Sequence, residues 1–253
     1  MNALKRIGWS LLTILGVGLI IFLIFDESLP EGRQGEDAER LSQRMLKAVD
    51  SSAWKNTGAV TWEFHSRSRI HKHIWDRKRH WAQVEFDGYI IQIDIDGRRG
   101  IVVSDNDLGE MAQSKLCKKA WKYWINDSFW LNPVVKIYDP GTKRSLVTLD
   151  DGSEALLISY SQGGVTPGDS YLWMVDENFR PVAWKLWVSI IPIDGFEFSW
   201  ENWINLSTGA QISTFHHGVI DIKLENVKGA VTLQSLTGGS DIFDPLEANF
   251  VKF

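Results

Sequence analysis

Cysteine is nearly absent from this sequence, in which Cys117 is the only one among 253 residues. A lone cysteine cannot form a disulfide within the chain. Exported eukaryotic domains of this size usually carry several cysteines. The composition therefore excludes a disulfide-stabilised domain and favours a bacterial envelope protein over a secreted eukaryotic one.

An excess of positive charge is also absent, because 32 Asp and Glu residues outnumber 27 Lys and Arg residues and give the chain a net charge of −5. Nucleic-acid-binding domains are typically strongly basic, so we expect no nucleic-acid partner. The sequence also lacks a Gly-x-Ser-x-Gly nucleophile elbow and a phosphate-binding loop. The acidic pairs Asp94/Asp96 and Asp150/Asp151 fall at strand ends or turns, where Asp is favoured for backbone reasons. We therefore expect no catalytic residues and a protein that is not an enzyme.

Charged residues are missing altogether from Ile7 to Phe25, a stretch that is mostly Leu, Ile, Val, Phe and Gly. Roughly 20 apolar residues are needed to cross a bilayer core. Lys5 and Arg6 precede the stretch and Asp26 and Glu27 follow it, which keeps the N-terminus cytoplasmic. The alternative is a cleaved signal peptide, but no small-x-small cleavage site follows the stretch.

We therefore predict an N-terminal membrane anchor over residues 1–28, a linker over residues 29–35 and a single domain over residues 36–253. The predicted location is the bacterial inner membrane, with one membrane crossing and the main domain in the periplasm.

Helical periodicity is confined to two stretches of the predicted domain. Ala38, Leu41 and Met45 recur at helical spacing within Glu36 to Asp50, where Ser51-Ser52 ends the pattern. The second helix is predicted over Gly109 to Asn126, with an aromatic face. Asp127 to Leu131 is interpreted as a further turn before Pro133.

Alternation with period two dominates the remaining sequence and predicts strands. Apolar residues alternate with polar ones around Val60–Phe64, Ala82–Phe86, Tyr89–Ile95 and Ile101–Val103. Further strands are predicted at Ser145–Leu149, Ala155–Tyr160, Tyr171–Val175, Val182–Ser189, Phe196–Trp203, Ile212–His216 and Ile220–Leu224. About ten sequential strands without alternating helices favour an antiparallel sandwich or barrel over an α/β fold.

Tryptophan is abundant, with 13 residues in the chain. Several Trp residues alternate along strands: Trp184 shares one face with Val182, Leu186 and Val188, whereas Trp187 faces the other side. Large aromatics on barrel strands can line a ligand cavity, and the alternative is that they fill the core. The predicted ligand-binding residues are Trp62, Phe64, Trp121, Trp124, Trp130, Trp173, Trp184 and Trp200.

Three segments resemble LolA/LolB-like envelope proteins and their uncharacterised Trp-rich relatives. They are the strand that starts at Gly58 and runs Ala-Val-Thr-Trp-Glu-Phe, the hairpin from Tyr171 to Lys185, and the Trp-rich stretch Tyr123–Trp130. The resemblance implies a mainly β fold, an unclosed antiparallel β-barrel with helices that cover an apolar cavity. It also implies binding of lipids or lipoprotein acyl chains. The chain departs from the soluble carrier by its anchor and from the outer-membrane receptor by lacking a lipidated Cys.

Five histidines raise a metal site as an alternative: His71, His73, His80, His216 and His217. His71 and His73 point the same way if they lie on a strand. However, six Lys and Arg residues crowd the stretch from Arg67 to Arg79, and charged strands commonly protect sheet edges. We therefore interpret these histidines as part of a solvated basic edge that also suits anionic lipid head groups, with no metal and no cofactor.

The sequence as a whole predicts a membrane-anchored periplasmic domain that binds an acyl chain, a lipid or a lipidated protein in an aromatic-lined cavity. A structural or protein-interaction module of the envelope, with a protein partner, is the main alternative. A metal-dependent hydrolase on the same scaffold is the less favoured one.

Overall fold

The computed structural model describes residues 26–105, 107–163, 168–190 and 193–253, which form two antiparallel sheets and a few helices. The predicted membrane helix, Ile7–Phe25, lies outside these residues. Within the described part of the chain, no helix has the length and apolar character needed to cross a membrane.

The large sheet contains nine strands, each antiparallel to its neighbours. Its spatial order is β11 (Glu201–Asn205), β12 (Gln211–His216), β13 (Ile222–Ala230), β1 (Ala59–Ser66), β2 (Arg69–Asp76), β3 (Trp81–Phe86), β4 (Tyr89–Asp94), β5 (Arg99–Val102) and β14 (Val251–Lys252). The alternation predicted for β1 is observed, because Val60, Trp62 and Phe64 are buried while Glu63 and His65 are half-buried. One face of this sheet therefore belongs to the core.

The small sheet contains five strands in the order β10 (Phe196–Ser199), β9 (Pro181–Trp187), β8 (Ser170–Val175), β7 (Glu154–Tyr160) and β6 (Thr142–Thr148). Its inner face packs into the main core through Trp173 and Trp184. Its outer face carries a separate apolar cluster that includes Trp187. The prediction that Trp184 and Trp187 face opposite sides is confirmed.

The two sheets meet at one corner and do not close into a barrel. The chain crosses from β10 to β11 at Trp200. The backbone N–H of Trp200 donates to the carbonyl oxygen of Val182 at 2.7 Å. The segment Phe196–Trp203, predicted as one strand, is thus divided between two sheets. The mainly β class and the unclosed antiparallel arrangement are confirmed.

The described helices are α1 (Glu36–Ala48), α2 (Ser51–Asn56), α3 (Glu110–Leu131), a 3-10 turn (Pro133–Lys136), α4 (Leu233–Thr237) and α5 (Asp244–Ala248). The first three contribute to the main core between the sheets, whereas α4 and α5 pack on the outer face of the large sheet, against Ala59, Ile74 and Trp81. The buried face of α1 carries Ala38, Leu41 and Met45, as predicted. Ser51-Ser52, predicted to end the first helix, also begins the next one, α2. Asp50 adopts a left-handed conformation between the two helices, and its side chain accepts a hydrogen bond from the backbone N–H of Ala53 at 3.0 Å.

The helix α3 is longer than predicted and packs on β3, β4 and β5. Asn126, Asp127 and Ser128 are weak helix formers, and the prediction therefore ended at Asn126. The buried positions nevertheless continue at helical spacing from Cys117 to Leu131. Packing of this face on the sheet outweighs the local preference, and the helix ends just before Pro133.

The solvated-edge interpretation is wrong for His71 and His73. The strand β2 lies between β1 and β3 inside the large sheet, and His71 and His73 are 5% and 1% exposed. The basic residue between them, Lys72, is exposed on the opposite face. The predicted shared face of Val182 and Trp184 is also wrong, because the β8–β9 register shifts between Met174 and Val175 and leaves Val182 exposed.

The stretch between residues 26 and 35 is bonded to the small sheet. The indole N–H of Trp187 donates to the carbonyl oxygen of Glu27 at 2.7 Å, and Lys185 pairs with the Glu27 carboxylate at 2.8 Å. Arg33 pairs with Leu146 of β6 through two backbone hydrogen bonds of 2.8 Å. Glu27, predicted as part of the anchor segment, thus contacts the sheet at β9, and Arg33, predicted as part of the linker, contacts it at β6.

Candidate functional site

A large open groove, of about 1530 Å³, runs between the inner faces of the two sheets. The C-terminal half of α3 lies along it, and residues of α1, α2 and the 3-10 turn contribute to its rim. Aromatic side chains form a large share of the lining: Trp54, Phe64, Trp75, Tyr123, Trp124, Phe129, Trp130, Tyr138, Tyr160, Tyr171, Trp184 and Phe198. Concave surfaces with many apolar and aromatic side chains are the usual place for a ligand site.

The aromatic rings at the small-sheet end of the groove pack against one another. The ring centroids of Tyr171 and Trp184 are 4.8 Å apart, and Trp130 lies 4.9 Å from Trp184. Phe129 contacts both Tyr171, at 5.1 Å, and Trp184, at 5.8 Å. Each such pair stabilises the fold by about 0.5–1.5 kcal/mol beyond area burial. These contacts hold the C-terminal end of α3 against the inner face of the small sheet.

The eight residues predicted to bind a ligand divide into two groups. Phe64, Trp124, Trp130 and Trp184 line the groove. The other four are not part of its lining and are buried in the core: Trp62, Trp121, Trp173 and Trp200. Among these, Trp121 donates its indole N–H to the carbonyl oxygen of Ile95 at 3.3 Å. The ligand-binding role of the eight stays a prediction.

Sequence reasoning missed several lining residues, among them Trp75, Phe129 and Tyr171. Trp75 follows His71 and His73 at spacing two, which would have placed it on the same inner face had β2 been recognised as an interior strand. Phe129 was missed because the helix was ended too early. Tyr171 and Trp173 are two residues apart on β8 and therefore point to the same face of the sheet. The sequence of the predicted hairpin already contained this pattern.

A basic region lies at the α2 end of the groove. The guanidinium of Arg77 donates to the carbonyl oxygens of Trp54 and Thr57. It also stacks over the rings of Trp54, at 4.2 Å, and Trp75, at 5.3 Å. Burial lowers the pKa of Arg77 to about 10. No carboxylate pairs with this cation among the described residues, and such a buried charge favours an anionic partner.

A second polar feature interrupts the apolar wall where α3 crosses β2. The Asp127 side chain is fully buried, and its Oδ2 accepts a hydrogen bond from Nδ1 of His71 at 2.7 Å. The same oxygen accepts from Nε2 of His73 at 2.8 Å. The other oxygen, Oδ1, accepts from the amide of Asn126 at 2.9 Å. We call His71, His73 and Asp127 the His-His-Asp cluster.

Neighbouring rings hold both histidines in place. His71 stacks on Tyr123 at 3.9 Å, and His73 stacks on Trp62 at 4.4 Å. Burial lowers the pKa of His73, and the hydrogen bond to Asp127 offsets this only in part. Burial opposes ionisation of Asp127, but its hydrogen bonds to His71 and His73 more than compensate and lower its pKa. The cluster therefore combines an ionised carboxylate with a neutral imidazole at His73.

Asp127 was not predicted as a site residue, although the sequence contained a signal. Extended beyond Asn126, the helix has Cys117, Ala120, Trp124, Asp127 and Leu131 on one buried face. A carboxylate on an otherwise apolar helix face requires a partner. The two histidines at spacing two on an inward strand face provide it.

Comparisons with known proteins give a likeness of fold and none of sequence. No family model matches the sequence, and no curated protein matches it. The fold is similar to the crystal structure of a DUF1329 family protein from Desulfovibrio piger, with 12% sequence identity and a TM-score of 0.48. The match covers 84% of this chain and 97% of that chain. The resemblance to LolA/LolB-like proteins stays a prediction from the sequence.

Proposed function

We propose that this domain binds an amphipathic molecule with an acyl chain, either a lipid or a lipidated protein. The aromatic groove is the observation that carries the proposal. An apolar wall takes up a hydrocarbon chain without leaving polar groups unpaired. Each buried CH₂ contributes about 0.8 kcal/mol, so a chain of a dozen carbons outweighs the cost of ordering it.

The proposed ligand carries an acidic head group beside Arg77. That guanidinium lines the groove, and the exposed Lys55 of α2 also belongs to the lining. A carboxylate or phosphate at this end would form charge-assisted hydrogen bonds. The chain would then extend along Trp75 and Trp124 toward Phe129 and Trp184.

The setting we propose is the periplasmic face of the bacterial inner membrane. Its support is the uncharged stretch Ile7–Phe25 with Lys5 and Arg6 before it. A ligand drawn from the membrane would reach a domain that is kept near the bilayer. Binding, rather than catalysis, is the activity proposed for the groove.

The test uses pyrene-labelled hexadecanoic acid and the full chain in a non-ionic detergent, with energy transfer from Trp to pyrene as the readout. We expect saturable binding that is weakened several-fold by Val188→Phe, since Val188 lines the groove and is 6% exposed. Val182→Phe is the matched control, because Val182 is exposed and lies outside the groove lining. Partition of the probe into micelles is equal for all three proteins and cancels.

The head-group position is tested with Arg77→Gln and two probes, the labelled acid and its methyl ester. The variant should weaken binding of the acid roughly ten-fold, a loss of about 1.4 kcal/mol, and leave the ester unaffected. Absence of saturable transfer in the wild type, or equal binding by Val188→Phe and Val182→Phe, contradicts the acyl-chain proposal. A protein retained on the purified full chain, with no lipid, would support an interaction module instead.

A further inference from the structure

The His-His-Asp cluster brings three ligand atoms to one point inside the domain. The Nδ1 of His71, the Nε2 of His73 and an Asp127 oxygen lie within 4.8 Å of one another. Two imidazole nitrogens and a carboxylate oxygen form the donor set used by many zinc and non-haem iron sites. Bound to a common ion at about 2.0–2.2 Å, such atoms are separated by roughly 3.0–3.4 Å. The two N···O distances, 2.7 and 2.8 Å, differ from this separation by a few tenths of an ångström.

The surroundings of the cluster hold its ligands in fixed orientations. Tyr123 and Trp62 stack on the two imidazoles, and Asn126 binds the Asp127 oxygen that the histidines do not use. Metal ligands are usually oriented in this way by a second layer of contacts. Metal binding would displace the two protons that Nδ1 of His71 and Nε2 of His73 donate to Asp127.

One side of the cluster borders the groove. His71 and Asp127 both belong to the groove lining, and His71, which is 5% exposed, is the member that a ligand in the groove would reach first. Three protein ligands leave at least one coordination position for water or a bound molecule. Lys72, which would repel a cation, is exposed on the other face of β2 and pairs in register with Glu63 and Glu85.

A purely structural role explains the cluster less well. Burying a charged group costs free energy even when it is paired, and apolar residues of similar volume often stabilise a core equally well or better. Phe64, Phe86 and Tyr123 lie against His71, so aromatic side chains already fill much of the space beside the cluster. A second group, Glu63, His65 and Glu225, has a similar composition but is half-exposed or exposed and lies outside the groove lining.

We infer that His71, His73 and Asp127 bind one divalent transition-metal ion of the Zn²⁺ or Fe²⁺ type, with its free coordination positions facing the groove. This inference does not depend on lipid binding, because the three ligands and their geometry are independent of what occupies the rest of the groove.

The test is a titration of the full chain, stripped with EDTA, with Co²⁺ as a spectroscopic substitute for zinc. We expect visible d–d bands that saturate at one equivalent and that Zn²⁺ abolishes by displacement. His73→Gln and Asp127→Asn should each remove the bands and the bound ion, as measured by elemental mass spectrometry. His65→Gln is the matched control and should retain both, because it alters only the half-exposed group.

The result that overturns the inference is a wild-type titration without saturable d–d bands, or uptake that Asp127→Asn leaves unchanged. Far-UV circular dichroism shows whether the variants are folded. If both site variants fail to fold, the wild type and His65→Gln decide the matter. The site is supported if the His65→Gln variant still binds the metal ion and if the ion shifts the ¹⁵N signals of two buried histidines. Loss of metal binding in the His65→Gln variant refutes the site.

Discussion

His216 gives the sharpest prediction for stability, because it is a fully buried imidazole at the corner where the two sheets meet. Its Nδ1–H donates to the carbonyl oxygen of Ser199 at 3.1 Å, and its ring lies 4.2 Å from that of Trp200. The Nε2 atom has no hydrogen-bond partner among the described residues. Burial lowers the pKa of His216 to about 3.

This lowered pKa makes folding sensitive to acid. The unfolded chain binds a proton at His216 as the pH falls below about 6.5, whereas the folded chain does not until about pH 3. The unfolded state therefore gains stability as the pH falls through this window. Between pH 7 and pH 5, His216 alone should lower the free energy of unfolding by about 2 kcal/mol.

The perturbation is His216→Phe, which keeps a ring of similar size but cannot be protonated. At pH 7 the variant should lie within about 1.5 kcal/mol of the wild type, because one hydrogen bond is lost. Urea unfolding at pH 7, 6 and 5 measures the difference. His217→Phe serves as the control, since His217 is exposed and water solvates it in both states. Parallel pH profiles for wild type and His216→Phe would refute the reasoning.

Two further predictions concern single side chains elsewhere in the fold. Burial raises the pKa of the Cys117 thiol to about 12, so that at pH 8 the native protein holds almost no reactive thiolate. Iodoacetamide should therefore leave the native protein unmodified and alkylate the protein in urea, as measured by mass spectrometry. Alkylation of the native protein would contradict the burial of Cys117. Gly58→Ala should destabilise the protein by about 2 kcal/mol or more, because a Cβ would lie 2.0 Å from the carbonyl oxygen of Val231. In the control variant Gly109→Ala the added Cβ meets nothing within 4 Å, and the free energy of unfolding should fall by less than about 1 kcal/mol. Equal melting temperatures for the two variants would count against the close approach of Gly58 to Val231.

The parts of the fold that the sequence predicted are those where one local pattern is sufficient. Regular alternation identified β1, β3 and β4, and helical spacing identified α1. The strand β2 was hidden because polar residues occur on both of its faces. His71 and His73 share the inward face with Trp75, and Lys72 and Asp76 share the outward face with two Ile residues, so that neither face looks apolar. The division at Trp200 depends on which sheet each half of the segment joins, and a pattern within one segment does not contain that information.

The candidate site was predictable only in part for a related reason. Alternation correctly directed Phe64 and Trp184 inward, but an inward residue can face either the groove or the packed core. Trp62 and Trp173 fall in the core because other side chains cover them. The His-His-Asp cluster joins residues 54 and 56 positions apart, and its recognition required both the burial of β2 and the full length of α3.

The bonded stretch before α1 has a mechanical consequence. A free linker transmits little force and lets a domain take any orientation. Here, tension applied ahead of Asp26 would act first on the contacts of Glu27 with Lys185 and Trp187, and then on the backbone pairing of Arg33 with Leu146. The first part of the described domain to feel such a pull is therefore the small sheet, at β9 and β6, which forms one wall of the groove.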